Sequence, residues 1–268
     1  MIVALTGLRK NGRTLEMKRL ALLGLASLAL CVAGQAQIPY STGFEAPTYT
    51  AGSSIVGVDG WFAGSGSGNS QSASTDVAES GDQSLKFDNS SLTSFYSVRR
   101  PLGTLPSLLE VTVSVLVTGN TQANRLYGLY LSSSATGTLG STILGMTIAG
   151  DGKVRAGKTW SATYSGTTGV IGTFNPGEYM DRWLHMRLTF DSGTGDGMAE
   201  ITNQIGTTFS QGYTSVTAPM GLNLGADYVT STDRLGVGYF DNLAVVPEPA
   251  TLATLGLGVA ALLRRRRR

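Results

Sequence analysis

Apolar and polar positions alternate with a period of two along much of the chain. Leu109, Val111, Val113, Val115 and Val117 alternate with Glu110, Thr112 and Ser114, the pattern of a strand with one buried face. In WLHMRLTFD (183–191), Leu184, Met186, Leu188 and Phe190 fall on one side, and Trp183, His185, Arg187 and Thr189 on the other. RLYGLYLS (125–132) and RLGVGYFDNLAVV (234–246) predict further strands. AGDGK (149–153) and DSGTGDG (191–197) are turn signals between them. Gly64–Ser74, GSGSGNSQSAS, predicts a mobile surface loop within the domain, because strand patterns continue on both sides of it. Away from its two ends the chain shows no long helical periodicity. Short strands and Gly-rich turns predict an all-β sandwich or barrel.

The ends follow a different rule. Met17-Lys18-Arg19 leads into the apolar run Leu20–Val32, followed by Gly34-Gln35-Ala36. A basic start, an apolar run and small residues at −3 and −1 predict a secretory signal peptide over 1–36, cleaved after Ala36. Met17 is an alternative start. Cys31 sits in this run behind Leu30, which is larger than the residue a lipoprotein signal places there. At the other end, Pro247-Glu248-Pro249 precedes Ala250–Leu263 and then Arg264, Arg265, Arg266, Arg267 and Arg268. As a helix, Ala250–Leu263 spans about 21 Å, short of the roughly 30 Å hydrocarbon core. The arginines stay on the cytoplasmic side and their stems snorkel, so transient inner-membrane anchoring is the expectation.

Charge changes the picture once these ends are set apart. The formal charge is +2, but five basic residues precede residue 37 and five end the chain. Residues 37–249 hold ten basic and seventeen acidic residues, a net of −7. An acidic body argues against nucleic acid as a partner, since phosphate contacts need a basic face. The only cysteine is Cys31, so no disulfide braces the body.

The chemistry is sparse. One histidine, His185, cannot build a metal-ligating cluster. No Gly-x-Ser-x-Gly elbow is present and no phosphate-cradling loop opens a helix. Glu178 and Asp181 in EYMDRW fall in a turn after Pro176-Gly177, off the register that sets two carboxylates across a sugar bond. No catalytic residue is assigned. Aromatic rings flanked by polar groups suit sugars better. Trp160 and Tyr164, in GKTWSATYSG, stand in such a context and are the candidate ligand-binding residues. Trp61 and the Trp183/His185/Arg187 face are open to either a packing or a binding role.

The tail, with its Pro-Glu-Pro, apolar run and arginine cluster over 246–268, resembles the PEP-CTERM sorting signal of bacteria. The resemblance implies recognition by exosortase, a membrane cysteine protease-like sorting enzyme, after passage through the export machinery. It also implies an association with extracellular polysaccharide. In the body, GFEAP (43–47), ESGDQSLKFDNSS (79–91), WLHMRLTFD and YFDNLAV (239–245) together are similar to concanavalin-like jelly-roll domains, including laminin G-like and carbohydrate-binding members. This implies a two-sheet antiparallel jelly-roll over 38–246, between a signal helix and a sorting tail over 247–268 with a short hydrophobic helix. It further implies first and last strands that lie side by side, and Glu45 and Asp241 as ligands of a structural Ca2+. The reading is a non-enzymatic, exported surface or matrix protein that binds polysaccharide. A structural or adhesive protein with a protein partner is the alternative, and a divergent glycoside hydrolase a weaker one.

Overall fold

The computed structural model describes residues 39–64, 71–90, 95–136, 138–161, 169–229 and 235–247. The predicted signal peptide, Tyr164 and the tail beyond Pro247 lie outside the described residues. The described residues form two antiparallel sheets. The first runs, in spatial order, Thr208–Tyr213 (β13), Asp196–Asn203 (β12), Trp183–Asp191 (β11), Leu108–Val117 (β6), Val237–Pro247 (β15), Ser84–Asp88 (β4) and Gln71–Ser74 (β3). Tyr40–Thr42 (β1) pairs with the far half of β15, so the first and last strands are neighbours as expected. The second runs Val170–Thr173 (β10), Lys153–Gly157 (β9), Thr142–Ala149 (β8), Arg125–Ser132 (β7), Gly221–Tyr228 (β14), Tyr96–Pro101 (β5) and Phe62–Ala63 (β2).

The core lies between the sheets and is built by the alternation seen in the sequence. Leu109 to Val117 from β6 and Leu184 to Phe190 from β11 face Leu129 and Leu131 from β7, Leu222 and Leu224 from β14, and Leu144, Met146 and Ile148 from β8. Trp61 is fully buried in this core against Phe44, their ring centroids 6.2 Å apart. Trp183 covers the outer side of the first sheet with Leu116, Val237 and Tyr239 and is only 7 % exposed. Both residues therefore pack. One flank of the sandwich closes where the Phe209 ring of β13 meets Phe174 at 4.8 Å.

Strand β15 needs a correction to keep its face. Gly238 and Phe240 point inward, and a strict alternation would next bring Asn242 and Ala244 into the core. A bulge between Asp241 and Ala244, with Asn242 in the left-handed region at φ 50°, shifts the register by one residue. Leu243 and Val245, each 1 % exposed, then fill the core instead. The predicted loop over Gly64–Ser74 is also corrected. Gln71–Ser74 is a strand with buried residues, paired to Ser84–Phe87. The small side chains of QSAS disguised it, because a strand can bury serine and alanine where a neighbour covers them. The helix Pro176–Tyr179 is a single turn, closed by a capping box between Asn175 and Glu178.

Candidate binding face on the seven-stranded sheet

Strands β7 and β14 are buried on both sides, not one. Their core-facing residues alternate with Leu126, Gly128 and Tyr130 on β7, and with Asn223, Gly225 and Asp227 on β14. These outward residues are as buried as the core: Tyr130 and Asn223 are 0 % exposed and Asp227 1 %. The cross-strand register sets Arg99, Asn223, Tyr130 and Gly145 in one row, with Gly157 next on β9. The adjacent row holds Ser97, Gly225, Gly128, Thr147 and Arg155. Glycine makes the floor. A Cβ on Gly145 would stand 2.7 Å from the Tyr130 ring and one on Gly128 2.8 Å from it, while one on Gly225 would be 3.4 Å away. The ring therefore lies flat along its own strand, over a patch that has no side chains.

Trp160 lies over this face. The chain leaves β9 at Gly157 and turns back across the sheet, so that Trp160 Nε1–H donates to Asp227 Oδ2 at 2.5 Å. The Trp160 ring stacks obliquely on Phe95 at 5.8 Å. Trp160 is thus half-buried and tied down, not freely exposed as its polar neighbours suggested. Burial pushes the Asp227 carboxyl up to about 6, against the bonds from Trp160 and the Tyr228 amide that pull it down. Burial likewise holds the Tyr130 phenol neutral, well above its usual range. Neither Tyr130 Oη, the Asn223 amide oxygen and nitrogen, nor Arg155 Nε and Nη1 has a hydrogen-bond partner.

Glu45 and Asp241, the expected calcium ligands, meet the same segment, ESGDQ. Glu45 Oε1 accepts from the amides of Asp82 and Gln83 at 3.1 Å, and Oε2 from Asp82 at 3.2 Å. Asp241 Oδ2 accepts from the amides of Glu79 at 2.8 Å and Ser80 at 3.1 Å, and Oδ1 from Asn242 at 2.7 Å. All four carboxylate oxygens accept N–H bonds from the loop or from Asn242. Among the described residues no group of three or more His, Cys, Asp or Glu is placed to hold a metal.

The outer face of the first sheet bears the other polar cluster, an open depression of about 370 Å3 lined by Glu79, Ser114, His185, Arg187, Glu200 and Asn242 among others. Ser114 Oγ lies 3.1 Å and Glu79 Oε1 3.6 Å from His185, both at Nδ1. A nucleophile–base–acid relay needs the serine and the acid on opposite ring nitrogens, so this is not one. Arg187 binds Glu110 at 2.7 Å and stands 3.9 Å from Glu200, which leaves both carboxylates paired to one cation. Glu178 caps its helix turn through the Asn175 amide at 2.7 Å, and Asp181 accepts from the Gly119 amide at 2.8 Å.

Of the sequence-selected residues, then, Trp160 sits on the candidate face and Glu45 and Asp241 sit at a separate loop anchor. Tyr130, Asn223, Asp227, Arg99 and Arg155 were missed. For Asn223 and Asp227 the signal was present in GLNLGADY (221–228), where they alternate with Leu222, Leu224 and Ala226.

Comparison with known proteins agrees with this architecture. Residues 245–268 match the family model of the PEP-CTERM protein-sorting motif. No curated protein matches the chain in sequence. Among solved structures, the carbohydrate recognition domain of Emp47p is similar at 12 % identity and a TM-score of 0.50, covering 80 % of this chain and 98 % of that one. Arcelin-5, a lectin-like defence protein from Phaseolus vulgaris, is 9 % identical over 77 % of this chain and 96 % of its own, with a TM-score of 0.48. A PL-14 alginate lyase from Aplysia kurodai is 11 % identical over 66 % and 87 %, with a TM-score of 0.44. Identities this low speak to fold and not to activity. Among the described residues no helix is long and apolar enough to cross a membrane. The chain carries a PEP-CTERM protein-sorting motif at its C-terminus, behind a nearly all-β, two-sheet body of the lectin-like, concanavalin-like jelly-roll kind.

Proposed function

We propose that the protein is exported, handed by its tail to an exosortase-type sorting enzyme, and displayed at the cell surface or in the extracellular matrix, where the sandwich binds polysaccharide without catalysing a reaction. The observation that carries the binding reading is the outer face of the seven-stranded sheet. Trp160, half-buried there beside Phe95 and tied to Asp227, offers an aromatic surface flanked by polar groups, the kind of surface that suits a sugar ring. The engaged carboxylates on the other sheet support a non-enzymatic reading. In the tail, the arginine cluster supports transient anchoring at the inner membrane before sorting.

Affinity electrophoresis of the full chain through gels that carry different polysaccharides tests this. Retardation by at least one of them is expected, and Trp160→Ala is expected to weaken it about tenfold or more, the usual scale for losing an aromatic anchor. Chelation of divalent cations is expected to change neither the retardation nor the melting temperature, because the Glu45 and Asp241 carboxylates are held by amides. Free migration in every gel would leave the structural or adhesive reading in its place.

A further inference from the structure

We infer that the open depression on the outer face of the first sheet is a second glycan site, and that it takes a sugar residue bearing a free amino group. This rests on the polysaccharide reading above, adds a site on the sheet opposite the one under Trp160, and names the residue that site takes. The starting observation is room. The depression holds about 370 Å3, within the usual range of small-molecule sites. Its floor comes from two paired strands, with Thr112 and Ser114 of β6 in register with Arg187 and His185 of β11. The short hydroxyl side chains of β6 leave the hollow. Longer ones flank it: Glu79 and Asn242 on the β15 side, and Glu200 on the β12 side.

The class follows from which groups around the hollow can still accept a bond. Arg187 is committed to Glu110, whose Oε2 accepts from its Nε at 2.8 Å and its Nη2 at 2.7 Å. Glu200 Oε1 stands 3.9 Å from Arg187 Nη1, beyond hydrogen-bond reach. At Glu79, Oε2 accepts from the Asn242 amide at 2.8 Å. Its Oε1 stands 3.6 Å from His185 Nδ1, which already lies 3.1 Å from Ser114 Oγ. Two carboxylates thus line the hollow with acceptor capacity left, while the guanidinium beside them is matched to a third. An ammonium group completes such a set through charge-assisted hydrogen bonds, and a further carboxylate would be repelled. The hydroxyls of Ser114, Thr112 and Thr202 line the same hollow. They suit the hydroxyl groups of a sugar better than the methylene stem of a lysine side chain. A ligand that joins an ammonium group to several hydroxyls is an amino sugar.

The body's charge acts in the same direction. The net −7 of residues 37–249 draws a cationic chain in from a distance, so added salt is expected to weaken binding. The test is calorimetric titration of the full chain at about pH 6, where carboxylates and amines are both charged. The probes are a trisaccharide of glucosamine and its N-acetylated form, which keeps the ring hydroxyls and loses the charge. Binding of the free-amine trisaccharide is expected, at least about tenfold tighter than the acetylated one. Glu79→Gln and Glu200→Gln keep the size of the side chain and are each expected to weaken it about three- to tenfold. Asp196→Asn removes a charge at the start of β12, outside the depression, and is expected to weaken it less than about twofold. Equal binding of the two trisaccharides would overturn the amino class. An effect of Asp196→Asn as large as those of the two glutamate changes would reveal general attraction to an acidic body, and would overturn the site. Binding that both glutamate changes leave intact would overturn it too. If the glucosamine trisaccharide does not bind, the inference fails, and retardation by other polysaccharides in the gels would leave the broader function standing.

Discussion

Asp227 shows how one residue couples the binding face to solution conditions. Its carboxyl is raised by burial to about 6, against 3.8 for the free group. The folded state therefore holds a proton that the unfolded chain has released between these values. Stability linked to this group is greatest below the lower value and is lost as pH rises through about 6, a change of roughly 3 kcal/mol. Asp227→Asn removes the titration and keeps an acceptor for Trp160. The expected outcome is a variant that matches the wild type near pH 4 and melts higher near pH 8. Urea unfolding at the two pH values measures it, and equal differences at both would refute the assignment. Asp241 is raised in the same direction by burial, with its three amide donors opposing, which is why the comparison with the variant is needed.

At the scale of elements, the two kinds of strand were unequally legible. Strands β6 and β11 alternate cleanly because their outer face meets solvent or short polar side chains. Strand β7 reads as continuous apolar and aromatic residues, and that pattern belongs to a strand covered on both sides. On β14, Asp227 is met by Trp160, nearly seventy positions away in sequence, and no local pattern reports such a contact. The bulge in β15 was equally invisible, since Asp-Asn reads as a turn signal as readily as a strand interrupted once. Motif order around GFEAP and YFDNLAV did locate Glu45 and Asp241 together. What it left open was whether their oxygens face a cation or amides, and only the path of residues 79–83 decides that. Gly145 offers a direct probe of the packing on β8. A methyl group there would meet the Tyr130 ring at 2.7 Å and the Leu129 carbonyl at 3.3 Å. Gly145→Ala is expected to cost about 1–3 kcal/mol through overpacking against the Tyr130 ring. Denaturant unfolding reads this, and an unchanged midpoint would mean the ring does not lie on the glycine floor.

For the whole molecule, the division of labour runs along the chain. In the proposed function the ends carry the address and the middle carries the recognition. Strand β15 ends at Pro247, which pairs with Leu109 at the sheet margin, so the Pro-Glu-Pro segment begins where the last strand leaves the sandwich. A proline is tolerated there because its missing N–H falls at the end of a ladder. The chain has three tryptophans, and the fold gives each a different environment. Trp61 is inside the core and Trp183 lies under Tyr239 and Leu116, while Trp160 alone stands over the binding face. Tryptophan emission is therefore the most direct report on whether that face takes a glycan. The full chain titrated with a panel of acidic and neutral polysaccharides is expected to show, with at least one of them, a saturable change in emission that disappears in Trp160→Phe. Emission that stays constant through every titration would contradict polysaccharide binding at this face.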